Sequence, residues 1–361
     1  VHRGAGFVNQ FAVLPDAEIT ALCDLRPEIL SELAAPLNVP DRNLFTNYEE
    51  FLQAPIDIVV ISTPMPYHAD QVIAALESGR HVLSEVTAAT TVEDCARIVE
   101  AVKRTGQTYM MAENYTYIGD VELVKRMVDA GKFGRVYFAE GEYVHDVHDL
   151  AMEKDGTRTW RGSGRRGGLY CTHSLGPVLY ITKDRVATVS CFGADSPEGY
   201  GGTLMVCRSA EGRMFKVRLD GRSPRPHNMA YYSVQGDQGA YESWRGLGDR
   251  PKVWLADSHE PSKCLAAPGE VIAQWHPLED YAQEYIPDRL TGPEAARTSG
   301  HFGADYWMLT DFARAVLEGK PSPIDVYRAL DYCVPGIVAI QSKAFGGAPI
   351  PVPDFRPQGR T

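Results

Sequence analysis

The sequence of 361 residues lacks a long apolar run, an excess of positive charge and any closely spaced pair of cysteines. No stretch approaches the ~20 apolar residues of a membrane-spanning helix. The 36 Lys and Arg face 47 Asp and Glu, and this balance argues against a nucleic-acid partner and an anionic membrane surface. The seven cysteines are scattered without a Cys-x-x-Cys pair, so neither a disulfide framework nor a zinc site is indicated. We expect buried, reduced thiols.

The chain also lacks an initial Met and a recognisable signal peptide. Its first residues, from Val1 onward, are typical of the middle of a functional loop. We therefore expect a first strand, and one more glycine, upstream of Val1 in the intact protein. A cytoplasmic protein is predicted, with an export signal upstream of Val1 as the open alternative.

The first third of the chain alternates short β-branched strands with helices. This pattern predicts βαβ units and a parallel sheet, with strands at 18–23, 56–62, 81–84 and 108–112 and helices at 7–14, 27–35, 67–78 and 92–104. After a helix at 120–130 the strands become longer and alternate in polarity, at 136–144, 186–192, 202–207, 214–219, 229–235 and 240–244. Helices return at 305–318 and 326–344, before an extended Pro-rich end at 349–357.

The opening residues fit a dinucleotide-binding loop. Gly4 and Gly6 precede the predicted helix 7–14, and Asp24 closes a predicted strand 20 positions after Gly4. Glycines let the backbone approach a pyrophosphate at a helix N-terminus, and an acid about 20 residues later accepts the ribose hydroxyls. Asp24 favours NAD over NADP, because a carboxylate repels a 2′-phosphate. The nearby Arg26 keeps NADP as an alternative.

These patterns together predict an α/β protein of two domains. Residues 1–119 are expected to form a Rossmann NAD-binding domain. Residues 120–361 are expected to form an α+β domain with a mostly antiparallel open sheet, whose C-terminal helices pack back toward the Rossmann domain.

Two segments resemble the glucose-fructose oxidoreductase / inositol dehydrogenase / MocA family. Ser-Thr-Pro-Met-Pro-Tyr-His at 62–68 follows one predicted strand, and Glu85 ends the next, where the family carries Thr-Pro…His and Glu-Lys-Pro. The chain departs from the family's dehydrogenases at Val86, which replaces the Lys, and at Leu169, which replaces the Asp of Asp-x-x-x-His. The Lys and Asp normally help to handle the proton lost from the alcohol, so a plain dehydrogenase is disfavoured.

With these departures the chain resembles a narrower group, the NAD-dependent glycosidases typified by α-N-acetylgalactosaminidase. Short matches recur in order at 113–117, 143–146, 160–161, 170–177, 225–228, 300–306 and 323–327. The glycine motif and the resemblance assign to the cofactor His2, Arg3, Gly4, Asp24, Thr63, Pro64, Met65, Tyr67, His68, Glu85, Val86 and Asn114. The resemblance assigns to the sugar Tyr143, Arg161, Tyr170, Thr172, His173 and His227. The relative has Tyr at the position of His227, so its N-acetylgalactosamine specificity is not carried over.

The resemblance implies a redox-assisted glycosidase. Hydride passes from position 3 of the sugar to NAD, a base removes the acidified hydrogen at carbon 2, the anomeric substituent leaves, water adds, and the hydride returns. This route needs a base and a proton acceptor for the 3-hydroxyl, not the paired carboxylates of ordinary glycosidases. Tyr117 and His173 are the candidates. The tyrosine needs nearby positive charge, from oxidised nicotinamide or Arg161, whereas histidine has a reference pKa near ~6.5.

Several alternatives remain open. Tyr117 and His173 could be packing residues, and Trp-Arg-Gly-Ser-Gly-Arg-Arg-Gly-Gly at 160–168 is most simply a solvated loop. The run 145–149 invites a metal ion, but on a strand His145 and His148 would point to opposite faces, so no metal site is predicted. A conventional carboxylate pair could form among Glu140, Glu142, Asp146 and Asp149.

Two competing functions are also open. One is an ordinary NAD(P)-dependent sugar or polyol dehydrogenase, and the other is a non-catalytic NAD- or sugar-binding protein. For any of the three functions we expect a small sugar or glycoside as ligand. The resemblance further implies a homo-oligomer, a dimer or tetramer, packed through the open sheet of the second domain.

Overall fold

The computed structural model describes residues 2–152, 155–164, 167–194, 202–224, 229–256 and 274–357. The chain divides into two compact units. The first comprises Val1–Asn114, Pro293–Leu330 and Phe355–Thr361, and the second comprises Tyr115–Gly292 and Asp331–Asp354. The predicted limits 1–119 and 120–361 stay a prediction about domains, because compactness alone does not show that either unit folds by itself.

Most of the predicted helices are present within a residue or two of their predicted limits. The described helices are α1 His2–Phe11, α2 Pro27–Ala34, α3 Tyr48–Phe51, α4 His68–Glu77, α5 Val92–Thr105, α6 Gly119–Asp129, α7 His148–Ala151, α8 Trp160–Gly164, α9 Thr172–Thr182, α10 Ala282–Tyr285, α11 Pro287–Leu290, α12 Glu294–Thr298, α13 Ala304–Glu318 and α14 Val326–Ala344. The last of these, α14, has the limits that the sequence predicted.

The strands also follow the predicted order. The described strands are β1 Leu22–Cys23, β2 Leu44–Phe45, β3 Ile58–Ile61, β4 His81–Ser84, β5 Tyr109–Met111, β6 Val136–Val144, β7 Val186–Gly193, β8 Thr203–Ser209, β9 Met214–Asp220, β10 Ala230–Gly236, β11 Gly239–Glu242, β12 Lys252–Leu255, β13 His276–Pro277 and β14 Ile350–Pro351.

Helix α5 shows how the local sequence sets the limits of a helix. The Thr91 side chain accepts a hydrogen bond from the Asp94 amide at its start, and Gly106 ends it with φ of 68°, a left-handed conformation that suits glycine. Acidic residues occupy the first turn and basic residues the last, which complements the helix dipole. The buried face carries Cys95, Ile98 and Val99 among its apolar side chains.

The first unit contains parallel strands, as predicted. β3, β4 and β5 pair in that order, with Ile58 opposite His81 and Val82 opposite Tyr109, while β1 pairs with β2. On β4 the consecutive residues Val82, Leu83 and Ser84 are all buried, and so are the three residues of β5, so both faces of these strands are covered. On β3 the buried Val59 and Ile61 alternate with half-buried neighbours, so only one face of this strand is fully covered.

Two predictions for the start of the chain are wrong. The strand predicted at 18–23 reaches only from Leu22 to Cys23, because β2 offers it a two-residue partner. Gly4 lies inside α1 rather than in a loop before it. A Cβ atom at Gly4 would come within 2.7 Å of the Ser62 hydroxyl oxygen, so a close approach between α1 and the end of β3 explains this glycine.

The second unit is built on one large, mostly antiparallel sheet, which confirms the predicted fold class. Its order is β13-β12-β11-β10-β6-β9-β8-β7-β14, and the pair β6 and β9 is parallel. Along β8 the side chains of Met205 and Cys207 are fully buried while those of Leu204 and Val206 are exposed. This alternation shows a sheet with one packed face and one exposed face within the unit.

Two local predictions in this unit are also wrong. The segment that begins at Trp160 is helix α8 rather than a solvated loop, and Gly162 in it packs so closely that a Cβ would lie 2.2 Å from the Ala151 carbonyl oxygen. The run 145–149 is not a strand, because β6 ends at Val144 and α7 begins at His148. The two-face argument against a metal site therefore does not apply. Across the described ranges, no group of three His, Cys, Asp or Glu side chains is placed to hold a metal ion.

Among the residues that the structure describes, no helix has both the length and the apolar character needed to cross a membrane.

Candidate active site

Arg3 connects two carboxylates in the first unit. Its Nε donates to Glu85 Oε2 at 3.1 Å, and its two Nη atoms donate to the Asp305 oxygens at 2.9 Å each. Burial lowers the pKa of Arg3, but the carboxylates outweigh burial and hold that pKa above its usual range. Glu85 follows β4 directly, so the end of a central strand carries one of the predicted cofactor residues into this ion-pair network.

His68 ties together two segments that were predicted to contact the cofactor. It is fully buried, with Nδ1 at 2.7 Å from the Thr87 carbonyl oxygen and Nε2 at 2.7 Å from the Thr63 carbonyl oxygen. Burial lowers the pKa of His68, against the opposing effect of the two carbonyls. The protonated ring nitrogen can donate to either carbonyl oxygen, depending on the tautomer, and the ring lies between the loops after β3 and β4. The peptide bond between Val86 and Thr87 is cis.

The remaining residues of the loop after β3 differ in exposure. Met65 is buried and Pro64 is half-buried, whereas Thr63 and Tyr67 are exposed. The Thr63 hydroxyl donates to the Gln71 side chain at 2.5 Å.

Asp24 directly follows β1 and lies beside Arg26. The Arg26 Nε and its backbone amide both donate to Asp24 Oδ1, at 3.1 and 3.0 Å. Both side chains are partly exposed. Arg26 thus neutralises the carboxylate that was predicted to select NAD. In the sequence, Arg26 was considered only as a reason to retain NADP as an alternative.

These residues fit a nicotinamide dinucleotide. Carboxylates suit ribose hydroxyls, and the donor-rich start of a helix suits a pyrophosphate. The close approach at Gly4 leaves no room for a side chain beside Ser62. Arg3, Gly4, Asp24, Glu85 and Asn114 are the residues that would hold NAD. The side chain of His2 lies outside the described residues.

The second unit collects aromatic rings around His173. Its imidazole stacks on Tyr115 with centroids 4.2 Å apart, and it contacts the rings of Tyr143 at 4.9 Å and Tyr170 at 5.1 Å. The Tyr143 hydroxyl is hydrogen bonded to His145 Nδ1 at 2.9 Å. His173, Tyr143 and Tyr170 were predicted to bind the sugar, so the structure brings three predicted residues together. Tyr115 was missed because its neighbour Tyr117 matched the motif.

Pro177 explains how the His173 backbone is held. Proline has no N–H, so the carbonyl four residues earlier in α9, that of His173, loses its helical donor. The Tyr232 hydroxyl donates to this carbonyl oxygen at 2.6 Å instead. The sequence carried this signal, since a proline inside a buried helix requires a replacement donor for the freed carbonyl.

The other predicted catalytic residue, Tyr117, is buried at 6% exposure. The Arg289 guanidinium carbon lies 5.8 Å from the centre of its ring. This positive charge was not predicted. Arg161, which was expected to supply charge, lies with its guanidinium 4.4 Å from the Trp160 ring centre.

Two further sugar-binding predictions have different outcomes. Thr172, at the start of α9, is fully buried, and its hydroxyl oxygen has no hydrogen-bond partner within the described part of the chain. A buried polar atom of this kind suits a ligand hydroxyl. His227 lies outside the described residues.

Three of the four carboxylates weighed as a conventional glycosidase pair have other partners. Glu140 pairs with Lys216 at 3.3 Å, and Glu142 lies 3.3 Å from Arg245 and 3.7 Å from Arg218. Asp146 accepts the backbone amide of His148 at 3.0 Å, at the start of α7. These contacts are typical of structural ion pairs and helix starts.

Comparison with known proteins shows the family and the fold of the chain. Residues 4–113 match the oxidoreductase family with an NAD-binding Rossmann fold, and residues 201–360 match the C-terminal domain of glycosyl hydrolase 109. A glycosyl hydrolase family 109 protein of Shewanella pealeana is 30% identical and covers 98% of this chain and 83% of its own length. One from Saccharopolyspora erythraea is 26% identical, with 98% and 81% coverage.

Solved structures share the fold. A levoglucosan dehydrogenase in complex with NADH and L-sorbose has a TM-score of 0.79 at 20% identity, and covers 98% of this chain and 97% of its own. The WlbA dehydrogenase from Bordetella pertussis, with NADH and UDP-GlcNAcA, has a TM-score of 0.74 at 20% identity, with 98% and 95% coverage.

The predicted fold class, the predicted family and NAD as cofactor are confirmed. This protein is an enzyme of the NAD-dependent glycosidase type on an oxidoreductase fold. The chain belongs to glycosyl hydrolase family 109.

Proposed function

We propose that this protein cleaves or modifies a small glycoside by transient oxidation at position 3 of the sugar, with no net change in the redox state of NAD. The observation that carries the proposal is Val86. It follows Glu85 at the end of β4, is 2% exposed, and occupies the position at which the related dehydrogenases have a proton-handling lysine. A chain that keeps the cofactor residues but has lost this lysine fits a role other than net alcohol oxidation.

When bound, NAD supplies a reversible acceptor for hydride. The protein's own groups must then accept two protons, one from the 3-hydroxyl and one from carbon 2. We propose His173 and Tyr117 for these tasks. An imidazole accepts a proton near neutral pH with little adjustment. A phenol does so only beside positive charge, and the Arg289 guanidinium near the Tyr117 ring supports that role.

The rings around His173 fix its orientation. Tyr115 stacks on one face of the imidazole, and Tyr143 and Tyr170 contact it from other directions. Tyr143 and Tyr170, together with Thr172 and Arg161, are the proposed sugar contacts. Aromatic faces and a buried hydroxyl suit a sugar, which presents both C–H and O–H groups.

An assay with a panel of nitrophenyl glycosides, with and without added NAD, tests the proposal. We expect nitrophenol release that depends on NAD, without accumulation of NADH at its absorbance band. Stoichiometric NADH would indicate a dehydrogenase instead, and the absence of both products across sugars that demonstrably bind would indicate a binding protein.

Matched substitutions assign the roles. His173→Phe keeps a ring against Tyr115 but cannot take a proton, and Tyr117→Phe removes only a hydroxyl. Each is expected to lower kcat by about 100-fold or more, the usual contribution of a positioned acid or base. Tyr137→Phe is the control, because Tyr137 is 51% exposed on β6. If His173→Phe and the control have equal kcat, His173 has no part in proton transfer.

A further inference from the structure

Asp305, in the first turn of α13, is hydrogen bonded to five nitrogen atoms on four side chains. It has no exposed surface, and its two oxygens accept from both Nη atoms of Arg3 at 2.9 Å, Gln10 Nε2 at 2.8 Å, Asn114 Nδ2 at 2.8 Å and His301 Nδ1 at 3.0 Å. These donors come from α1, from the segment after β5 and from the turn before α13. One side chain therefore joins three separate stretches of the first unit.

The charge of this group is secured by its donors. Burial raises the pKa of Asp305, but the hydrogen bonds and charges of His301 and Arg3 outweigh burial and hold it well below its usual range. These donors therefore favour the ionised form of the Asp305 carboxylate. A buried charge that lost such partners would be strongly unfavourable.

The turn before α13 is shaped to fit this carboxylate. His301, Phe302 and Gly303 have φ values of 55°, 59° and 86°, so three successive residues are left-handed. A Cβ atom at Gly300 would lie 2.5 Å from Asp305 Oδ2 and 3.0 Å from Gln10 Nε2. Only glycine leaves room there for the hydrogen bonds to Asp305, so the backbone of the turn lies directly against these bonds.

We propose that Asp305 is a positioning residue of the NAD site. It orients Arg3 and Asn114, two of the side chains assigned to the cofactor, and it links them to the turn 300–303. Arg3 is held from its other side by Glu85, so its guanidinium has one available orientation. The proposal rests on NAD as the cofactor and on the assignment of Arg3 and Asn114 to it. It does not depend on the glycosidase chemistry.

Titration of NADH fluorescence tests the proposal. Asp305→Asn keeps the shape of the side chain but replaces one acceptor oxygen by a donor facing other donors. We expect NADH to bind about 30-fold more weakly, as for the loss of one partner of a buried charge pair. Asp311→Asn is the control, because it makes the same change in the same helix at an exposed ion pair. It should bind NADH within about twofold of the wild type.

A second variant keeps the proposal testable if Asp305→Asn does not fold. Gln10→Leu removes one donor to Asp305 and leaves Arg3 and Asn114 intact, and we expect about tenfold weaker binding. Wild-type affinity in a folded Gln10→Leu protein would overturn the proposal, whether or not Asp305→Asn folds.

A double-mutant cycle separates positioning from general destabilisation. In an Arg3→Met background, Asp305 no longer has the guanidinium to orient, so Asp305→Asn should weaken NADH binding much less than it does alone. Equal weakening in both backgrounds would show that Asp305 does not act through Arg3, and it would refute the proposal.

Discussion

Gly141→Ala is predicted to lower both stability and kcat, although it changes none of the proposed catalytic or binding side chains. Gly141 lies on β6, where α9 packs against the sheet. A Cβ atom there would sit 1.9 Å from the Ser174 carbonyl oxygen, 2.9 Å from the Ser174 carbonyl carbon and 3.2 Å from Val178 Cγ2. Two of these neighbours are backbone atoms, so no side-chain rotation can relieve the contact.

The size of the effect follows from these distances. Carbon and oxygen atoms not covalently bonded normally stay about 3.3–3.6 Å apart, so α9 must move by about 1.5 Å near Ser174. Over-packing of this kind costs about 1–3 kcal/mol in stability. His173 directly precedes Ser174, and a displacement of about 1 Å at a reacting group can cost about 100-fold in rate.

Three measurements on one preparation check this prediction. We expect a lower midpoint of denaturant unfolding, a kcat about 100-fold lower and an unchanged NADH affinity, because the proposed NAD residues lie in the first unit. Gly119→Ala is the control. Within the described part of the chain, and apart from its chain neighbours and its own helix backbone, no atom lies within 4 Å of its added Cβ. Helix α6 begins there, so alanine should stabilise by about 0.4–1 kcal/mol. A Gly141→Ala enzyme with wild-type kcat and stability would refute the packing argument.

Three further substitutions make separate predictions. Tyr232→Phe removes the hydroxyl that donates to the His173 carbonyl oxygen, so unfolding measurements should show a loss of about 0.5–1.5 kcal/mol and kcat should fall; wild-type values for both would contradict this. Burial, and then Glu279, raise the pKa of Asp120 to about 6. The folded chain therefore binds a proton more tightly than the unfolded chain, and stability falls as the pH rises from about 4 to about 6. In denaturant titrations, Asp120→Asn should raise the free energy of unfolding by about 1–3 kcal/mol at neutral pH and leave it unchanged near pH ~4. An equal gain at both pH values would refute the raised pKa of Asp120. Asp24→Ser should weaken NAD about tenfold and strengthen NADP, because Arg26 is released for a 2′-phosphate, and a further Arg26→Gln change should abolish the gain for NADP.

Periodicity predicted those parts of the fold that depend on local burial. The limits of β6 and α14 match the prediction, because each has a long run of alternating or helical polarity bounded by turn residues. The strand predicted at 18–23 failed because its length is set by β2, a partner that lies 22 positions along the chain at Leu44. No local pattern carries that information.

The candidate site was predicted where the residues follow strand ends or lie within a motif. Glu85, Asp24 and His173 were predicted in this way, and their roles stay predictions. Asp305 and Tyr232 were missed as partners because their contacts span long sequence separations, from Arg3 to Asp305 and from His173 to Tyr232. Their identity as Asp and Tyr was visible, but which backbone or side chain they meet is decided by tertiary packing.

The central claim is that the enzyme oxidises and re-reduces its sugar while it breaks the anomeric bond. The most direct measurement is NMR of the sugar product formed from a cleaved glycoside in D₂O. Removal of the hydrogen at carbon 2 and its return from solvent predict deuterium at carbon 2 of the released sugar, at the rate of aglycone release and without net NADH. Aglycone release with only hydrogen at carbon 2 would contradict the account.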